Sequence, residues 1–145
     1  VLLALIYRYK VHPIDALDSE RFVIAYRSND GSNIGNAIIG NVSGTVISFG
    51  SPYSFHHACS DEIDVSTVTS KRFIIAYQDT SHSNFCMAKV GTSFGTNISF
   101  GLPYTVAITS LSWTHSAKKS SPTFIFFSNN TTTDFGTHLS EYFSQ

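Results

Sequence analysis

From Arg21 to Tyr26 the chain reads Arg-Phe-Val-Ile-Ala-Tyr, apolar at every position after the arginine. A short unbroken apolar run between polar turns predicts a strand buried on both faces. Its surroundings follow a strand rhythm as well. Ile14-Asp15-Ala16-Leu17 alternates, and Asp18-Ser19-Glu20 is a polar turn. Ser28 to Asn33 is rich in residues that tolerate positive φ, and Asn36 to Val42 is a third strand. Ser43-Gly44-Thr45 closes a tight turn into Val46-Ile47-Ser48-Phe49, which Gly50 and Pro52 bend or end before Tyr53-Ser54-Phe55. His56 to Glu62 is expected to be a polar connection, after which Ile63-Asp64-Val65-Ser66 restarts the pattern. No stretch of about 11 residues carries an apolar period near 3.6, so no helix is expected.

The pattern recurs. Arg72-Phe73-Ile74-Ile75-Ala76-Tyr77 lies 51 residues after Arg21, and Phe124-Ile125-Phe126-Phe127 lies a further 51 after the corresponding positions. Laid over each other without a gap, residues 21–53 and 72–104 agree at 17 of 33 positions. A fixed period of this size marks a repeat architecture, in which each unit buries its faces against its neighbours. The expected fold is therefore all-β, with four-stranded antiparallel meanders, about three per chain. We divide residues 1–145 as one repeat domain: 1–13 a terminal strand, 14–64 the first repeat, 65–115 the second and 116–145 a truncated third. Asp134 to Leu139 matches Asn33 to Ile38 with one residue deleted, and the chain stops before an equivalent of Ile47-Ser48-Phe49. Residues 2–9 are expected to pair near Thr137 to Phe143, within one chain or between two, and so complete the last unit.

These units, quoted above by their strands and turns, resemble the blades of tandem-repeat β-propellers, including sugar-binding propellers of the extracellular lectin kind. The resemblance implies a radial stack of small sheets, each covered on both sides. Closed rings usually take 4–8 blades, so a homo-oligomer or polymer is implied. The chain carries no Trp-Asp dipeptide, no kelch double glycine and no Asp-box, so no binding residue of such a family transfers to it.

Composition narrows the chemistry. Charged residues make up 13%, net charge is −1, and no basic run exceeds Lys118-Lys119. A nucleic-acid partner or an anionic membrane surface needs a positive stripe, so neither is expected. The apolar start, Val1 to Tyr7, is too short to span a bilayer, and no membrane insertion is expected. Asn41, Asn97, Asn129 and Asn130 begin N-glycosylation sequons, and with the hydroxyl-rich composition they point to a secreted protein. Cys59 and Cys86 allow one disulfide in an oxidising compartment, against the alternative of two buried thiols. His56-His57-x-Cys59-x-Asp61-Glu62-x-Asp64 gathers metal-ligand types, but without regular spacing it reads as a solvated crossover loop, and no metal or cofactor is expected. No Gly-x-Ser-x-Gly elbow is present, and Asp15, Glu62 and Asp64 are the only carboxylates weighed as a glycosidase pair; the chain is expected not to be an enzyme. Polar or amphipathic residues that recur between units are the binding candidates: Arg21 with Arg72, Ser32-Asn33 with Ser83-Asn84, and Tyr53 with Tyr104. They can offer donors and stacking faces to a sugar. The expected function is a binding or adhesion module, with a glycan as the candidate ligand. The alternative is a structural subunit that polymerises head to tail by terminal strand donation.

Overall fold

A computed structural model describes residues 13–29, 31–107, 113–120, 123–129 and 136–139, with backbone alone for residues 59 and 107 and for the last three stretches. The pairing expected for residues 2–9 lies outside the described residues. All described strands are antiparallel, and no helix occurs among the described residues. In chain order they are β1 (Ile14–Ala16), β2 (Arg21–Arg27), β3 (Ile34–Ser43), β4 (Val46–Phe49), β5 (Tyr53–Thr69), β6 (Arg72–Asp79), β7 (Phe85–Phe94), β8 (Asn97–Phe100), β9 (Tyr104–Ala107), β10 (Trp113–Ser120), β11 (Thr123–Asn129) and β12 (Gly136–Leu139). β1 to β9 form one nine-stranded hydrogen-bonded path, and β10, β11 and β12 form a second sheet. No closed ring of strands forms among the described residues.

The nine-stranded path consists of two meanders that share β5. The N-terminal part of β5 pairs with β3, and the residues from Ser60 onward pair with β6. The expected polar loop over residues 56–62 is thus part of a continuous strand. It carries the chain from the ladder with β3 to the ladder with β6, with bulges along the way. Glu62, at φ 44°, marks the place where it turns, and the register breaks between Asp61 and Asp64.

The two meanders agree in detail at the 51-residue offset. Phe22 faces Gly40 and Ala25 faces Ala37 in the first; Phe73 faces Gly91 and Ala76 faces Ala88 in the second. In each, the third strand holds both halves of a broken fourth one, β4 with β5 on β3 and β8 with β9 on β7. Local chemistry explains the shared turns. Gly44 (φ 59°) and Gly95 (φ 62°) each open a two-residue hairpin turn with positive φ at the first position only, as type II′ requires. Asn33 and Asn84 stand at φ 55° and 60°, a region asparagine tolerates better than most residues. Asp18 accepts backbone hydrogen bonds from Glu20 and Arg21, and Thr69, 51 residues on, accepts them from Lys71 and Arg72.

The meanders stack by unlike faces. Val23, Ala25, Ala37 and Ile39 come from one face of the first, and they share a core with Phe73, Ile75, Tyr77 and Ile98 from the opposite face of the second. Phe55 and Phe100 seal it with aromatic contacts to Tyr77 and Phe73. Burying seven or eight such side chains, at about 25 cal/mol per Å² of apolar area, is the main force holding the two sheets together. Ile74, Ala76, Cys86, Ala88 and Val106 form a second cluster on the far face of the second meander. There β10 lies against β5 and β6, as β5 itself lies against β1 and β2.

Candidate interaction surfaces

The internal junction defines what each face is built to meet. Arg21 reaches out of β2 and donates to the carbonyl oxygens of Gly95 at 3.0 Å and Ser70 at 2.9 Å. Asp18 holds the guanidinium from behind at 2.7 and 2.9 Å. The backbone N–H of Glu20 and then the Arg21 side chain keep the Asp18 carboxyl below its usual range. Tyr53 donates its hydroxyl to Asn97 Oδ1 at 3.0 Å, and Asp15 accepts from both the backbone and the hydroxyl of Thr67. Gly50 has to lack a side chain, because a Cβ there would stand 2.7 Å from the Cβ of Thr96. Apart from those that Asp18 makes with Glu20 and Arg21, these contacts join the first meander to the second.

Three of the sequence candidates, Arg21, Tyr53 and Asn97, therefore serve this junction. Their counterparts Arg72 and Tyr104 are exposed on the second meander. Ser32 bonds Ser28 at 2.9 Å in the β2–β3 turn, and Asn33, Ser83 and Asn84 hold positive φ in that turn and its equivalent. All four lie in the turns between the second and third strands of their meanders. Of the sequons, Asn41 lies half-buried in β3, Asn97 is exposed at the start of β8, Asn129 ends β11, and Asn130 lies outside the described residues. Cys86 is a buried thiol in β7, and the side chain of Cys59 lies outside the described residues.

The metal-like cluster disperses. Residues 56–64 lie along β5, and alternate side chains point to opposite faces of a strand. Among the described residues no group of three histidine, cysteine or carboxylate side chains is placed to hold a metal ion. His56 instead meets a partner that sequence spacing did not reveal. Its Nδ1 lies 2.8 Å from Ser60 Oγ and its Nε2 3.3 Å from Asp79 Oδ2, while Asp79 also accepts from Ser81 and contacts His82 Nδ1 at 2.9 Å. Serine, histidine and aspartate stand in a row here, with Ser60 fully buried. The row ties β5 to the end of β6. Burial lowers the His56 pKa, against the raising effect of Asp79. Burial pushes Asp79 upward, yet its hydrogen bonds from Ser81 and His82 and the nearby His56 outweigh this and lower it. Burial, with Asp79 and Cys86 nearby, pushes the Tyr77 phenol up to about 12. Lys89, lowered by burial, donates across the junction to the Phe55 carbonyl at 2.6 Å.

Among the described residues two apolar surfaces are exposed. The first is the outer face of the first meander, with Ile14, Ile47 and Phe49 exposed, Phe22, Ile24 and Tyr26 half-buried, and Val46 exposed at the hairpin tip. At the 51-residue offset this is the face by which the second meander packs on the first. The second is a concavity of about 280 Å³ on the β7–β9 side of the second meander, lined by Ile74, Ala88, Lys89, Val90, Gly101, Leu102 and Tyr104. At the same offset it is one edge of the face by which the first meander receives the second; Ala76, Cys86 and Val106 on that face are buried. No single residue in the sequence signals either surface; the signal is that equivalent residues differ in exposure. No protein-family model matches this sequence, no curated protein matches it, and no solved structure matches it.

Proposed function

We propose that the chain is a non-enzymatic binding module whose working parts are the faces of stacked β-meanders, arranged in the manner of propeller blades and acting outside the cell. One observation carries the reading: apolar residues buried at the internal junction have exposed counterparts on the outer face of the first meander and, at Val90, beside β9 on the second. Ile98 is 5% exposed at the junction, while its counterpart Ile47 is 57% exposed at the open end. Exposed apolar surface gathered in patches is a mark of interaction sites. The sequons and hydroxyl-rich composition support the extracellular setting.

A dye that fluoresces on exposed apolar surface tests the reading on dilute, natively folded protein. Its signal should fall on Ile47→Asp and on Leu102→Asp, and it should be indifferent to Arg72→Ala. The rival reading, in which the recurring polar residues hold a sugar, predicts glycan-array binding that is lost on Arg72→Ala or Tyr104→Ala. That result would overturn the proposal.

A further inference from the structure

The β3–β4 and β7–β8 hairpins are built on the same Gly-Thr turn, yet they differ at the pair of residues that flanks it. In the first, Ser43 faces Val46; in the second, 51 residues on, Phe94 faces Asn97. Asn97 opens the sequon Asn97-Ile98-Ser99 and is exposed at the start of β8. Phe94 is 64% exposed, although Ile98, one residue beyond the asparagine, is buried in the junction core. Residues directly opposite each other on paired strands share a face, with Cβ atoms about 5 Å apart. Tyr53 reaches over from the first meander and donates its hydroxyl to Asn97 Oδ1 at 3.0 Å. That bond holds the carboxamide by its oxygen. It leaves Nδ2, the atom to which a glycan is joined, outside the contact.

Resting on the extracellular setting proposed above, we propose that Asn97 is an N-glycan acceptor and that the first sugar lies on the Phe94 ring. Transfer from a lipid-linked oligosaccharide joins Nδ2 to C1 of the first N-acetylglucosamine. The bond between C1 and the lipid pyrophosphate breaks, and Nδ2 gives up one proton. A pyranose has an apolar face of C–H groups, and laid across Phe94 it takes apolar area of both partners out of water. Asn41 shows what the fold excludes. It is half-buried in β3, between β2 on one side and β4 on the other. By strand alternation it shares the face of Ala37 and Ile39, which the second meander covers. Its cross-strand partner Arg21 runs from there to the Gly95 and Ser70 carbonyls. A glycan is bulky and belongs on open surface, so Asn41 stays bare.

Expression of the full chain behind a cleavable secretory leader in a eukaryotic cell, followed by site-resolved glycopeptide mass spectrometry, tests the assignment. The leader delivers the chain to the lumen whatever its natural address. A bare Asn97 therefore counts against the site and not against the extracellular setting. Asn97 should be occupied and Asn41 bare. Ser99 is exposed, so Ser99→Ala should remove the glycan while keeping Asn97 and its bond from Tyr53. The contact between sugar and ring is read from melting temperatures. Ser99→Ala should lower the melting temperature of the glycosylated chain by several degrees. In the Phe94→Ser background, serine being the residue the first hairpin carries at that place, the same change should leave it nearly unmoved. Asn97 bare, or Asn41 occupied in its place, would overturn the acceptor assignment. Equal shifts in the two backgrounds would overturn the stacking of the sugar on Phe94.

Discussion

The first and second meanders share a length, a register and half their residues, yet they are buried differently. In β6 every residue from Phe73 to Asp79 is buried, whereas in β2 only Val23 and Ala25 are. Phe73, Ile75 and Tyr77 face the first meander; Phe22, Ile24 and Tyr26, the same residues in the same strand positions, face outward and are half-exposed. An apolar pattern therefore reports what a strand is made to meet. Neighbours decide whether the meeting happens.

The largest effect that separates the two should come from their phenylalanines. Phe73→Ala should destabilise by about 3–5 kcal/mol in chemical denaturation, and Phe22→Ala by no more than about half as much. Equal losses would mean that the outer face of the first meander is covered in solution. The opposing glycines sharpen the same contrast. A Cβ at Gly91 would come within 2.3 Å of the Phe73 ring and one at Gly40 within 2.1 Å of the Phe22 ring. Phe73 is enclosed and cannot move aside, so Gly91→Ala should cost about 2–3 kcal/mol, whereas Phe22 can swing outward and Gly40→Ala should cost roughly 1 kcal/mol.

Arginines come next. Arg21→Ala removes two bonds across the junction and should cost about 1–2 kcal/mol. Arg72→Ala, in an exposed position, should stay within about 0.5 kcal/mol. The smallest effect concerns the tie between β5 and β6. The folded His56 resists protonation because it is buried, so the unfolded chain binds the proton more readily once pH falls below the ordinary histidine value of 6.5. Stability should therefore decline as pH drops from 7 toward 5, and His56→Gln should flatten that slope. The Asp79 carboxyl contributes in the other range: its stabilisation holds above the ordinary value of 3.8 and is lost only as pH falls below it. A melting temperature indifferent to pH between 5 and 7 would remove His56 from the account.

Much of this architecture was legible in the sequence, because turn chemistry and the 51-residue recurrence are local signals. Gly44 and Gly95, Asn33 and Asn84, and the strand bounds around Arg21 and Arg72 all follow from residue type and spacing. Three things did not follow. Residues 56–62 read as a polar loop because His, Ser, Asp and Glu are poor strand formers, but a strand shared by two sheets is held by hydrogen bonds on successive edges, and these override propensity. The partnership of His56 with Asp79 joins positions 23 residues apart on different strands, and only the fold brings them together. The junction contacts of Arg21 with Gly95 and of Tyr53 with Asn97 likewise join residues far apart in the chain.

That junction also sets a clock for synthesis. The first meander completes its own hairpins once β4 has left the ribosome, but Val23, Ala25 and Ile39 are covered only when residues 73–100 arrive. At about 5–20 residues per second, roughly 3–10 seconds pass between the two events. During that interval an apolar sheet face stands bare beside an unfinished β5, whose backbone edge is still unpaired. The long strand shortens the hazard. Because β5 pairs with β3 by its first part and with β6 by its second, pairing of the first part brings the rest of the strand alongside the face to be closed.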